Sequence, residues 1–304
     1  MMTLSNFNRH TPVAANNEGD EAIPESISIS PEVATADLID KFSRNFSFRV
    51  ALTDEDKEKA YALRYEVFIE ELDHKMSTLG DRPLEVDEYD GSSAQCLLIH
   101  NDSNSVAGCF RIVSPTSLTE GGPCLLPVEK HGRQGISHAS LHPEMMPRDK
   151  ICEASRLAIC QRFRHQMGGN AGPVSKTIFD SPANRLILPS LFLAAYSLAE
   201  LLGNCHLYAM MAPTLPRLLK KSGFNFVKLG DTIEFHGRRN VFYINRDLAD
   251  SGMQHELAPL HHHIYHQIEP QAARYLALKN QVHRILPGNA ARIFRKKYSV
   301  SRYP

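Results

Sequence analysis

The run Ile151–Ile159 reads as a buried strand, yet Glu153 and Arg156 stand inside it. A charged side chain in an apolar interior is tolerated only where it is paired and hydrogen-bonded. Any fold for this chain must therefore bring opposite charges to that strand. The residues available are Arg64, Arg111 and the carboxylates of Leu84-Glu-Val-Asp-Glu-Tyr-Asp90, namely Glu85, Asp87 and Asp90. Two readings are open. One is a structural ion-pair network, arginine being the usual partner of carboxylates. The other is a polar pocket for an amine-bearing zwitterion, with carboxylates on its ammonium and arginine on its carboxylate or carbonyl. Both can hold at once.

The surrounding pattern predicts what carries these charges. Phe46-Ser-Phe-Arg-Val-Ala-Leu52 alternates like a strand, and Thr53-Asp-Glu-Asp56 supplies a helix start before Ala60, Leu63, Val67 and Phe68. Arg64 and Phe68, four apart, share one face of that helix. Cys96–His100 and Val106–Val113 flank Asn101-Asp-Ser-Asn104, a hairpin signal. A Pro- and Gly-rich connection over 114–149 leads to Ile151–Ile159. Leu186–Leu202 is an apolar helix, His206–Met211 a strand and Pro213–Lys221 a helix, with strands near 225–229, 232–236 and 241–245. This order describes an α/β (α+β) fold, a mixed sheet with helices on both faces.

Composition limits the function classes. Lys plus Arg and Asp plus Glu stand at 34 each, so no nucleic-acid partner is indicated. Residues 1–45 read as a flexible acidic leader, 46–250 as the folded domain, and 251–304 as a linker with a basic amphipathic helical extension. From Pro270 to Pro304, Arg274, Lys279, Arg284, Arg292, Arg295, Lys296, Lys297 and Arg302 occur with no acidic residue among them. Such a segment suits an acidic carrier protein, the acidic leader or peripheral contact with an anionic inner membrane. With no secretory signal and no span-length apolar run, a cytoplasmic location is expected. The cysteines read as reduced core residues, and neither Cys152 nor Cys160 has an obvious base to make it a nucleophile. His261-His-His-Ile-Tyr-His266 invites a metal, but consecutive histidines cannot all face one ion, so none is expected.

Arg64-x-x-x-Phe68, Glu85-x-Asp87-x-x-Asp90, Arg111 and Glu153-x-Ser155-Arg156 resemble the motif series of acyl-homoserine-lactone synthases. The series also resembles that of N-acyl amino acid synthases, including the acyltransferases associated with PEP-CTERM/exosortase systems. There it continues into Tyr208-Ala-Met-Met-Ala-Pro-Thr-Leu-Pro-Arg-Leu-Leu219, Gly223-Phe and Glu234-Phe-His-Gly-Arg-Arg239. The resemblance covers roughly residues 46–246 and implies a GNAT-like acyltransferase fold. In that fold two parallel strands splay apart around an acyl-pantetheine arm; Ile151–Ile159 and His206–Met211 would be those strands, with Tyr208 beside the arm.

The resemblance implies transfer of a long-chain acyl group from a thioester to a small amine. Glu153 is the expected general base, taking the ammonium proton through water, and backbone N–H groups around Ser155–Leu157 the oxyanion donors. Arg64 and Arg111 would orient the acceptor, Phe68, Glu85, Asp87 and Asp90 would complete its pocket, and Arg156 would pair with Asp87 or Asp90. The acyl chain would lie along Leu186–Leu202. Gln166-x-x-Gly169-x-Ala171 matches the letters of a coenzyme A phosphate loop but lies late, whereas Arg162, Arg164 and His165 suit acyl carrier protein. No tryptophan follows the first helix, where S-adenosylmethionine-using relatives carry one, so a free amino acid is the expected acceptor. No cofactor is expected beyond the acyl donor. The alternatives are homoserine-lactone synthesis from S-adenosylmethionine and a non-catalytic lipid- or carrier-binding module.

Overall fold

The computed structural model describes residues 31–115, 124–164, 181–220, 222–252 and 257–285. Folding begins earlier than the sequence suggests. Residues 31–45, assigned above to the leader, form helix α1 (Pro31–Asn45), which runs directly into strand β1 (Phe46–Val50). Ile39 and Phe42, three apart, turn one face of α1 inward, and Phe42 stacks on Phe46 at 5.1 Å. Asp37 and Asp40, which contribute to the leader-like composition, are exposed on the helix.

Helix α2 (Asp54–Arg64) is capped by Thr53, whose hydroxyl accepts from the Asp56 N–H at 3.2 Å. It widens into a π-helical turn over Tyr65–Glu71, so Arg64 and Phe68 straddle a change of helical pitch. A small hairpin of β2 (Thr78–Leu79) and β3 (Arg82–Glu85) follows. The expected hairpin is β4 (Ala94–His100) and β5 (Ser105–Val113). Then come α3 (Pro127–His131), β6 (Ile151–Ile159), α4 (Ile187–Leu201), β7 (His206–Met211), α5 (Leu215–Lys220), β8 (Val227–Lys228), β9 (Ile233–Glu234), β10 (Arg238–Asn245), α6 (Arg246–Gly252) and α7 (Ala258–Ile285).

The main sheet runs β1-β4-β5-β6-β7-β10-β8, with β9 paired to β10. Its neighbours are antiparallel except β6 and β7. Those two strands pair only over Ile151↔His206, Cys152↔Leu207 and Glu153↔Tyr208. Beyond Glu153 both continue without pairing, and the sheet opens there. Helix α4 packs behind the opening with Leu191, Leu193, Ala194 and Leu198 buried.

Helix α7 corrects the expected linker. Leu260, Ile264, Ile268 and Ala272 recur every four residues and are all buried against the core, so the helix begins at Ala258, well before the basic stretch. His261 Nε2 lies 3.1 Å from Ser197 Oγ on α4, while His262 and His266 face outward. The basic residues from Arg292 onward lie outside the described residues. Among the described residues no helix is long and apolar enough to cross a membrane.

Two glutamines of α7 reach β1. Gln267 Oε1 accepts from Phe48 N–H at 2.8 Å; Gln271 Oε1 accepts from Val50 N–H at 2.9 Å, and its Nε2 donates to Phe48 O at 3.0 Å. Replacing Gln271 by alanine strands a backbone donor and acceptor and should cost roughly 1–3 kcal/mol. Urea denaturation measures this; an unchanged midpoint would mean that water restores both bonds.

Candidate active site

Three arginines and three carboxylates close on one another beneath the opening. Arg64, at the end of α2, donates from Nη1 and Nη2 to the two oxygens of Asp90 at 2.7 and 2.8 Å, and from Nε to Glu85. Arg111, on β5, donates to both oxygens of Asp87 at 2.6 and 2.7 Å, to Asp90 at 2.8 Å and to Ser155 Oγ at 3.0 Å. Arg156 donates to Glu85 at 3.1 Å and to Asp87 at 2.9 Å. Burial alone would raise the carboxyl pKa values of Asp87 and Asp90. The adjacent guanidiniums outweigh it and hold both below their ordinary range. The six charges sum to zero.

Arg156 reaches this network through a β-bulge. The β5–β6 register passes from Cys109↔Ala158 to Arg111↔Ser155, so Arg156 and Leu157 together face Phe110. Arg156 takes a left-handed φ of 56°, an uncommon conformation for a non-glycine residue. The extra residue takes backbone groups out of the ladder beside the opening, where an oxyanion donor was expected.

The opening between β6 and β7 holds a cavity of about 280 Å³. One end is polar, lined by Asp87, Arg111, Glu153, Ser155 and Arg156; the other is apolar, lined by Leu157, Phe192, Ala195, Ala209, Met211 and Leu215. Glu153 is the carboxylate left over from the network. It is buried, and its Oε2 accepts from the Val128 N–H at 2.6 Å. Burial pushes its pKa up to about 8, against the lowering influence of the Val128 N–H, Arg111 and Arg156. A carboxyl tuned near neutral pH is suited to take a proton from an ammonium group.

Aromatic rings crowd the cavity mouth. Phe68 stacks on His74 at 6.3 Å, and His74 meets His236 at 5.3 Å; His131 stacks on Phe235 at 4.8 Å. Phe235 and His236 belong to the turn joining β9 to β10. Burial, followed by nearby cations, lowers the pKa of His74 and of His131. His236 is lowered by burial and by His74 and Arg156. The sequence reading quoted the Glu234–Arg239 segment without placing it in the site beside His74. Nothing in spacing along the chain signals that they meet.

The acetyltransferase (GNAT) domain family matches residues 63–170. That span contains every member of the charged network together with Glu153. Over that span the chain is similar to GNAT acyltransferases. The chain is 26% identical over 183 residues to an acyl-homoserine-lactone synthase of Aliivibrio fischeri, covering 60% of this chain and 80% of that protein. The acyl-homoserine-lactone synthase LasI aligns with a TM-score of 0.46 at 18% identity, over 69% of this chain and 96% of LasI. FeeM, an N-acyl amino acid synthase from uncultured soil microbes, aligns with a TM-score of 0.42 at 14% identity, over 71% of this chain and 97% of FeeM.

The expected site residues divide. Glu153, Ser155, Arg156, Asp87, Arg111 and Phe68 line the cavity. Arg64, Glu85 and Asp90 do not: each is walled in by its own ion pairs, so Arg64 cannot orient an acceptor and instead holds the floor of the site. Arg156 pairs with Asp87, as expected, and also with Glu85. Tyr208 is turned away from the cavity. Its ring packs with Tyr243 and Leu126 in a second buried cluster and its hydroxyl donates to Leu141 O at 3.0 Å, so its side chain is no pantetheine contact.

Arg162 and Arg164 are exposed just after β6, Arg164 pairing with Glu71 at 2.6 Å. His165 and the Gln166–Ala171 segment lie outside the described residues. Of α4, Phe192 and Ala195 reach the cavity, while most of its other apolar residues are core. Cys152 is fully buried and its thiol is pushed well up by burial, which removes it as a nucleophile. Among the described residues no group of three or more His, Cys, Asp or Glu is arranged to hold a metal ion.

Proposed function

We propose that this chain moves a long-chain fatty acyl group from an acyl carrier protein thioester to the amino group of a free amino acid. The observation that carries the reading is Glu153, a buried carboxyl that lines the cavity and, among the described residues, forms no salt bridge with a guanidinium. An ammonium proton passes to Glu153, directly or through water; the freed amine attacks the thioester carbonyl; the C–S bond breaks; the proton leaves on the released thiol. The bulge at Arg156–Leu157 offers N–H groups to the oxyanion, and the apolar end receives the acyl chain. Exposed Arg162 and Arg164 suit the acidic surface of a carrier protein. The motif series supports placing the chain beside the acyltransferases of PEP-CTERM/exosortase systems.

The Aliivibrio fischeri relative favours a second reading, homoserine-lactone synthesis from S-adenosylmethionine. The two are separated by incubating the protein with palmitoyl-acyl carrier protein and either the twenty amino acids or S-adenosylmethionine, followed by mass spectrometry. An N-acyl amino acid is the expected product. An acyl-homoserine lactone overturns the first reading, and an unconsumed thioester in both mixtures overturns both.

A further inference from the structure

The guanidiniums of Arg64, Arg111 and Arg156 are neutralised by Glu85, Asp87 and Asp90. Arg239 is not part of that network. It is the second residue of β10, beside the turn of Phe235 and His236, and it lines the cavity with His74 and His236. Its Nη1 donates to the Arg238 carbonyl at 3.1 Å, and no carboxylate forms a salt bridge with it among the described residues.

With the network neutral, the groups left in the cavity lining beside the histidines are the Glu153 carboxyl, poised to take a proton, and one guanidinium, Arg239. A zwitterion carries the complementary pair. We propose that Arg239 binds the α-carboxylate of the acceptor while Glu153 receives its ammonium group, which restricts this domain to amines bearing a free carboxylate. The inference rests on the amino-acid acylation proposed above and adds the residue that selects the acceptor.

Two features support the assignment. A guanidinium offers a carboxylate two parallel N–H donors, so it fixes orientation as well as affinity, and Arg111 and Arg156 have already committed theirs to Asp87 and Glu85. Gly237, at φ 85°, forms the turn beside Arg239, and a Cβ there would stand 3.6 Å from Arg239 Nη1. The left-handed φ is what calls for glycine there, and the turn it makes sets the guanidinium beside the cavity.

The test uses the full chain with palmitoyl-acyl carrier protein. The amino acid acylated fastest from a mixture of the twenty is compared with its own α-carboxamide, in the wild type, Arg239→Gln and Arg239→Lys. The wild type should favour the acid. Arg239→Gln should raise KM for the acid roughly 10- to 100-fold, the value of a hydrogen-bonded charge pair, and the preference over the amide should collapse. Its kcat should stay within about twofold, as for lost ground-state binding, and Arg239→Lys should recover part of the preference. Equal losses for acid and amide, or an unaltered preference in Arg239→Gln, overturn the assignment of Arg239 alone. A wild type that acylates no amino acid overturns the assignment and the proposed function together.

Discussion

Glu153→Gln lowers acyl transfer by about 10²-fold or more if Glu153 takes the ammonium proton, while the protein still unfolds in one native transition. The fold is expected to survive because the amide oxygen of glutamine can accept from the Val128 N–H as Glu153 does. Stopped assays of N-acyl product formation measure the loss; unchanged turnover removes Glu153 from the reaction. The pH profile is an independent check. With the carboxyl pKa raised to about 8, kcat/KM of the wild type should climb with pH and level off above that value, and the climb should vanish in the variant.

Stability moves the opposite way. The native state holds the Glu153 proton more tightly than the unfolded chain does, where the carboxyl has its ordinary value of 4.5. This contribution is full below about pH 4.5 and is lost as pH rises towards 8, whereas glutamine has no proton to lose.

The second large effect concerns Asp90→Ala. Asp90 accepts from Arg64, Arg111, the Gln95 side chain and the Asp87 N–H, so its removal leaves buried donors and excess positive charge. Breaking a buried pair by deleting one member costs about 3–5 kcal/mol, a large part of a domain's stability. Thermal and urea unfolding should show it, and a loss under about 1 kcal/mol would mean that water enters and solvates the network. The folded-state pKa values of Asp87 and Asp90 are depressed, so their contribution is present above about pH 3.8 and fades as pH falls through the folded values.

Much of the scaffold was legible in the sequence because its signals are local. The alternation at Phe46–Val50, the polar turn between β4 and β5 and the apolar run of α4 each declare an element without reference to the rest of the chain. The charged series was legible as a set requiring partners. Its division was not, because Arg64 and Arg111 look alike in sequence although one is enclosed by Glu85 and Asp90 and the other reaches the cavity. The extent of α7 was concealed by His261, His262, His263 and His266, which interrupt a stripe visible only every fourth residue. Arg239 and His236 join the site through the pairing of β9 and β10, a contact across the sheet that no local pattern announces.

Both rims of the main sheet carry protection against accidental joining to other chains. At one rim, Gln267 and Gln271 satisfy β1 backbone groups that a further strand would otherwise claim, while at the other β8 is only two residues long. An unoccupied, extended rim is a template for edge-to-edge aggregation, and short or covered edges suppress it. Helix α7 therefore acts as a solubility device as well as a packing element: a chain cut before Ala258 would expose β1 and be prone to self-association.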